Sequence, residues 1–112
     1  MINNFYTQTP SKVENCHGGA GTINVVEIFD KFTTGVKHFH YTVLPPNTSI
    51  GEHTHGNDEE FYVVIDGTGE MLDDGKTYTV TAGDVIMNKP FGTHGLKNTS
   101  VTDELKLLVF EV

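Results

Sequence analysis

The chain contains no arginine: its seven basic residues are Lys12, Lys31, Lys37, Lys76, Lys89, Lys97 and Lys106. Without a guanidinium there is no planar, bidentate clamp for a carboxylate or a phosphate. The basic residues are also outnumbered, and the formal net charge is -8. Nucleic acid and anionic membrane surfaces require a concentrated positive face, so neither is expected as a partner. A lone cysteine, Cys16, excludes an internal disulfide and a multi-cysteine zinc site, which suits a reducing compartment. No apolar run approaches the roughly 20 residues that span a bilayer. Met1 to Lys12 lacks a basic patch leading into an apolar stretch, so the expected location is cytoplasmic.

Long apolar periods of 3.6 residues are also missing. In their place, short alternating or β-branched runs recur between Gly, Asn, Asp and Pro, which predicts an all-β fold. The expected strands are Thr22 to Phe29, Val36 to Leu44, Ile50 to His55, Glu60 to Ile65, Gly69 to Asp73, Lys76 to Val80, Asp84 to Asn88, His94 to Asn98 and Glu104 to Glu111. Asp74-Gly75 suits a tight hairpin with positive φ, and Asp66-Gly67 ends a strand in a similar way. Pro45-Pro46-Asn47 cannot continue a central strand and marks a bend. So many close turns imply a sandwich, barrel or jelly roll. With 112 residues the chain builds one core. Residues 1–21 are expected to form an N-terminal arm with a glycine-rich loop, His17 to Gly21, and residues 22–112 the barrel domain.

Six histidines are present in this short chain. His53 and His55 are two apart in a β-compatible run, so both side chains leave the same strand face and can converge on one ion. Glu60 follows after a bend through Gly56-Asn57-Asp58 and is placed to add a carboxylate. Two imidazoles and a carboxylate suit a borderline divalent metal. An isolated His-x-His is also what two solvated surface histidines look like. His38 and His40 form a second such pair, expected to line a barrel wall or face solvent, or else to support a metal ligand from behind. Cys16-His17 is either incidental or, if the arm folds over a barrel mouth, a cap on the metal site.

The pattern extends beyond the pair, and there the chain resembles the cupin superfamily. The first cupin motif is Gly, five residues, His-x-His, three or four residues, Glu, six residues, Gly. Here His53-Thr54-His55 is followed by four residues, Glu60, six residues and Gly67, with Asn47 in place of the leading Gly. Glu59 is the alternative carboxylate, but the spacing to Gly67 favours Glu60. The second motif is Gly, five residues, Pro-x-Gly, two residues, His, three residues, Asn. Here Gly83, Pro90-Phe91-Gly92, His94 and Asn98 follow it with one residue moved from after the Pro-x-Gly turn to before it, so His94 keeps its distance from Gly83.

The resemblance implies a double-stranded β-helix, or jelly-roll barrel, holding one divalent transition metal per chain: iron, manganese, nickel, cobalt or zinc. His53, His55, Glu60 and His94 would be its ligands, with Glu60 also able to act as a catalytic base. Strand alternation from Glu60 and His94 turns Tyr62, Val64, Leu96 and Asn98 inward, and these are expected to line the substrate site. Phe61, Val63 and Ile65 would pack on the opposite face, against an outer arm or a second subunit, so a homodimer is expected. Cupin activities are diverse. The missing arginine argues against carboxylate-orienting and phosphosugar sites, and the motif-one Glu against thiol dioxygenases. The expected function is a metal-dependent oxidoreductase of dioxygenase type acting on a small, neutral, oxygen-bearing compound. The competing classes are a non-catalytic metal or small-molecule binding protein and a cupin isomerase or lyase.

Overall fold

A computed structural model describes residues 1–112. Ten strands follow one another: β1 (Ser11–Glu14), β2 (Thr22–Glu27), β3 (His38–Leu44), β4 (Ser49–Thr54), β5 (Glu60–Asp66), β6 (Thr68–Asp73), β7 (Lys76–Thr81), β8 (Val85–Asn88), β9 (Thr93–Lys97) and β10 (Leu105–Glu111). They form an antiparallel six-stranded sheet in the order β1-β2-β3-β10-β5-β8 and a four-stranded sheet in the order β4-β9-β6-β7. This is the all-β jelly-roll barrel the sequence predicts. No helix is long and apolar enough to cross a membrane.

The turns follow from residues that tolerate positive φ. Asp74 (φ 47°) and Gly75 (φ 81°) reverse the chain between β6 and β7. Asn47, which stands where the motif has glycine, adopts φ 59°. Its short side chain makes that left-handed conformation accessible, so the substitution leaves the bend into β4 intact.

Alternation sorts the two faces of the larger sheet. Inward residues of β10 (Leu105, Leu107, Val109) and β5 (Tyr62, Val64) meet Met71 and Leu96 of the smaller sheet in the main core. A second cluster, Val26, Ile28 and Tyr41, lies on the outer face and is covered by Phe5 of the N-terminal arm, whose ring centroid is 4.4 Å from that of Tyr41. Beyond the arm's reach, Phe61 and Phe110 stack at 4.8 Å, while Val85 and Met87 are exposed.

One strand has no counterpart among the expected ones. β1 lies inside the predicted arm and pairs along its length with β2, Val13 opposite Ile23. A single-turn 3-10 helix, Cys16–Gly18, joins the two strands. Asn15 (φ 48°) and His17 (φ 50°) both take left-handed conformations there, which are costly for residues bearing a Cβ. The turn is pressed onto β4: a Cβ added at Gly51 would run into the carbonyl oxygen of His17, and one at Gly19 into that of Ser49.

Candidate metal centre

The two sheets converge on one group of side chains at the barrel mouth. His53 of β4 and His94 of β9 are directly paired across the strands, so both rings leave the same sheet face, their centroids 4.4 Å apart. His55 lies one residue past the end of β4, held there by its amide donating to the Gly92 carbonyl at 2.9 Å. Its Nε2 is 3.1 Å from Nε2 of His94. Glu60, the first residue of β5, reaches across from the larger sheet and brings Oε1 to 3.4 Å from His55 Nε2 and 3.3 Å from His94 Nε2. One ligand atom from each of these four residues lies within 4.8 Å of every other. Donors each about 2.1 Å from a common ion stand about 3.0–3.5 Å apart, so the closest pairs already have the required separation.

The ring nitrogens facing away from the cluster fix its orientation. His53 Nδ1 lies 2.8 Å from the Gly51 carbonyl, which can only accept, so Nδ1 carries the proton and Nε2 keeps its lone pair. His55 Nδ1 is 2.9 Å from Asp58 Oδ1 and 3.2 Å from Glu111 Oε1, with the same consequence. Carboxylate and carbonyl partners behind an imidazole are the usual support of a metal-binding histidine. His94 differs: its buried Nδ1 has no partner. Glu60 Oε2 accepts a hydrogen bond from His38 Nε2 at 2.9 Å, and His38 Nδ1 lies 3.5 Å from Glu111.

The electrostatics favour the protonation states a metal needs. Burial, reinforced by His94, His17 and His55, lowers His53 to about 4, so its imidazole is neutral at ordinary pH. Burial alone would push the Glu60 carboxyl up, but the contacts from His38 and His94 and the fields of His38 and His55 outweigh it and hold it well below the usual carboxylate range. His38 is raised, chiefly by its bond to Glu60. Burial, with His38 adjacent, lowers His40. Three imidazoles and a carboxylate in this arrangement fit a borderline divalent ion.

Beside the cluster is a cavity of about 470 Å³. His53, His55 and Glu60 line it, and His94 reaches the group from behind the wall. Tyr62 lines it, its hydroxyl 3.5 Å from His94 Nε2. Val64, Leu96 and Asn98, expected on the wall, do not line it. Alternation gives the face of a strand but not the depth, and each pair of residues advances about 7 Å along it. Val64 and Leu96 are core residues below the floor. Asn98, four residues past His94, is fully buried and donates to the carbonyls of Leu44, Pro45 and Asp103, tying the far end of the barrel.

Five further lining residues that carry an imidazole or a carboxylate were not assigned to the substrate site from sequence: His17, His38, His40, Asp58 and Glu111. Glu111 continues the inward phase of Leu105, Leu107 and Val109, and His38 and His40 share the phase of Thr42 and Leu44, so alternation carried a signal for all three. His17 stacks on His53 with ring centroids 3.7 Å apart, which makes the 3-10 turn a cover over one candidate ligand.

The family model described as a cupin domain matches residues 40–111, and the chain belongs to this family as a small single-domain cupin. Among known proteins, the oxalate-binding protein of Thermotoga maritima is 32% identical over 97 residues, covering 85% of this chain and 80% of its own. A crystal structure described as a predicted oxalate decarboxylase, also from Thermotoga maritima, superposes with a TM-score of 0.92 at 27% identity, covering 100% of this chain and 98% of that one. KdgF from a Halomonas species shares the fold, with a TM-score of 0.79 at 15% identity over 99% of this chain and 92% of its own.

Proposed function

We propose that this cupin holds one divalent transition metal (iron, manganese, nickel, cobalt or zinc) through His53, His55, Glu60 and His94, and binds a small oxygen-bearing organic ligand in the adjoining cavity. The observation that carries this reading is the convergence of four ligand atoms within 4.8 Å, drawn from both sheets. A metal bound there would supply Lewis-acid polarisation of a ligand oxygen and, if redox-active, a site for dioxygen. Four protein ligands leave open positions on a six-coordinate ion, unlike a closed structural site. The oxalate-binding relative supports a chelating organic acid as the ligand class. Glu60 acts in this reading as a ligand, with its second oxygen engaged by His38.

Turnover, as a dioxygenase-type oxidoreductase in which Glu60 also accepts a proton, is the second reading. It is favoured by the apolar part of the cavity wall (Val13, Ile23, Val25, Val109) and by the absence of arginine from the chain. A homodimer through the outer face around Phe61 and Phe110 completes the proposal, and sedimentation equilibrium measures its mass.

The experiment is calorimetric titration of metal-depleted protein with manganese(II) or iron(II), then with oxalate and related organic acids, with dioxygen uptake followed on the iron-loaded form. Saturable metal uptake followed by ligand binding supports the binding reading, and dioxygen consumption with a defined product supports turnover. Protein that takes up no metal refutes both.

A further inference from the structure

The shape and charge of the cavity specify its ligand further, on the premise that the metal site proposed above is real. Oxalate, two carboxylates joined directly, would occupy only a small part of about 470 Å³. A volume of this size belongs to pockets for larger organic molecules. The aliphatic part of the lining is Val13 of β1, Ile23 and Val25 of β2, Ile50 of β4 and Val109 of β10. Val13, Ile23 and Val25 precede the residues matched by the family model, so much of this wall comes from the chain's own N-terminal region.

Charge sets a second limit. A divalent ion on Glu60 leaves one positive charge at the metal. Of the other lining carboxylates, Asp58 is engaged by Lys37 at 3.6 Å, whereas Glu111 lies beside His38 and His55. No lysine lines the cavity, and the chain has no arginine. With Asp58 offset by Lys37, Glu111 takes up that remaining charge, so a single ligand carboxylate is held by direct coordination to the metal and a second adds uncompensated negative charge beside Glu111.

We infer that the ligand is a chelating monocarboxylic acid with an apolar tail, of the 2-oxo acid type, whose oxygens face the metal and whose tail lies against Val13, Ile23, Val25 and Val109. The bare dicarboxylate is too small for the wall and carries one charge too many.

The test uses manganese-loaded protein titrated calorimetrically with oxalate, pyruvate, 2-oxobutanoate, 2-oxopentanoate and 2-oxohexanoate. Affinity is expected to rise about fourfold per added methylene, the gain for burying one such group, and to pass that of oxalate within the series. Val25→Thr keeps the wall's shape but adds a hydroxyl, and Val13→Asn makes a comparable change on the edge strand. Both are expected to flatten the dependence on chain length while leaving metal content, read by elemental analysis, unchanged. Tightest binding by oxalate, a flat series, or steep series in both variants would overturn the inference while leaving the metal site standing. Failure to load manganese, in contrast, would remove the site itself and the inference with it.

Discussion

Replacing His38 with alanine tests how far the cluster depends on a residue that is not itself a candidate ligand. In the native arrangement His38 Nε2 donates at 2.9 Å to Oε2 of Glu60, whose side chain is only 8% exposed, so little water is at hand to replace the lost donor. A hydrogen bond to a charged group contributes about 1.5–3 kcal/mol, and leaving a buried carboxylate oxygen unpartnered falls in the same range. At about 1.4 kcal/mol per decade this corresponds to roughly 10- to 100-fold in metal affinity, the loss usual when the outer partner of a metal ligand is removed. The expected result for His38→Ala is a weakening of that size in a competition titration against a chromogenic chelator. The bond is also present without metal, so the thermal midpoint of the metal-free protein should fall too, and metal affinity is compared below that midpoint, on folded protein. His38→Gln, which keeps an N–H donor, should recover most of the affinity. Unchanged metal affinity in His38→Ala would refute the argument that this bond holds Glu60 in place.

Gly51→Ala inserts a Cβ against the His17 carbonyl, and the 3-10 turn must lift from β4. Such overpacking costs about 1–3 kcal/mol; the expected outcome is a lowered thermal midpoint, an intact barrel by circular dichroism, and faster hydrogen exchange confined to the Asn15–Gly21 segment. Stability of the metal-free protein should peak near pH 6.5. His53 is lowered to about 4 from 6.5, so the unfolded chain protonates first and stability falls as the pH drops below 6.5. His38 is raised, so its contribution is complete below 6.5 and is lost as the pH rises through its folded value. Urea midpoints measured across this window check the shape, and a steady gain in stability down to pH 4 would contradict the His53 assignment.

Nine of the ten strands were legible because Gly, Pro, Asn and Asp bound runs with a two-residue period, and the main departures have physical causes. β1 is four residues, Ser-Lys-Val-Glu, with one apolar side chain, so it shows no alternation; it exists because β2 offers an edge to pair with. The four converging residues were legible as a set because spacing along strands fixes both face and approximate height. His53 and His94 became cross-strand partners even though the Pro-x-Gly turn before His94 is redrawn, since the distance from Gly83 is kept and Phe91 takes up the bend at φ 61°. Depth was not legible. Tyr62 and Val64 share a face and both pack in the core, yet only Tyr62 borders the cavity. The cover formed by His17 was legible only as one of two readings of Cys16-His17, because it depends on two non-glycine residues in left-handed conformations and on close contact with β4.

Whether these four side chains bind an ion at all is decided most directly by elemental analysis of untagged protein, with His53→Ala/His94→Ala as the comparison. Removing two of four donors, His53 and His94, which face each other across β4 and β9, should abolish binding while leaving the fold in place. Close to one transition metal ion per native chain, or per chain after reconstitution, is expected, and almost none in the double variant. A native protein that stays metal-free under reconstitution, or a folded double variant that still carries a full equivalent, would contradict it.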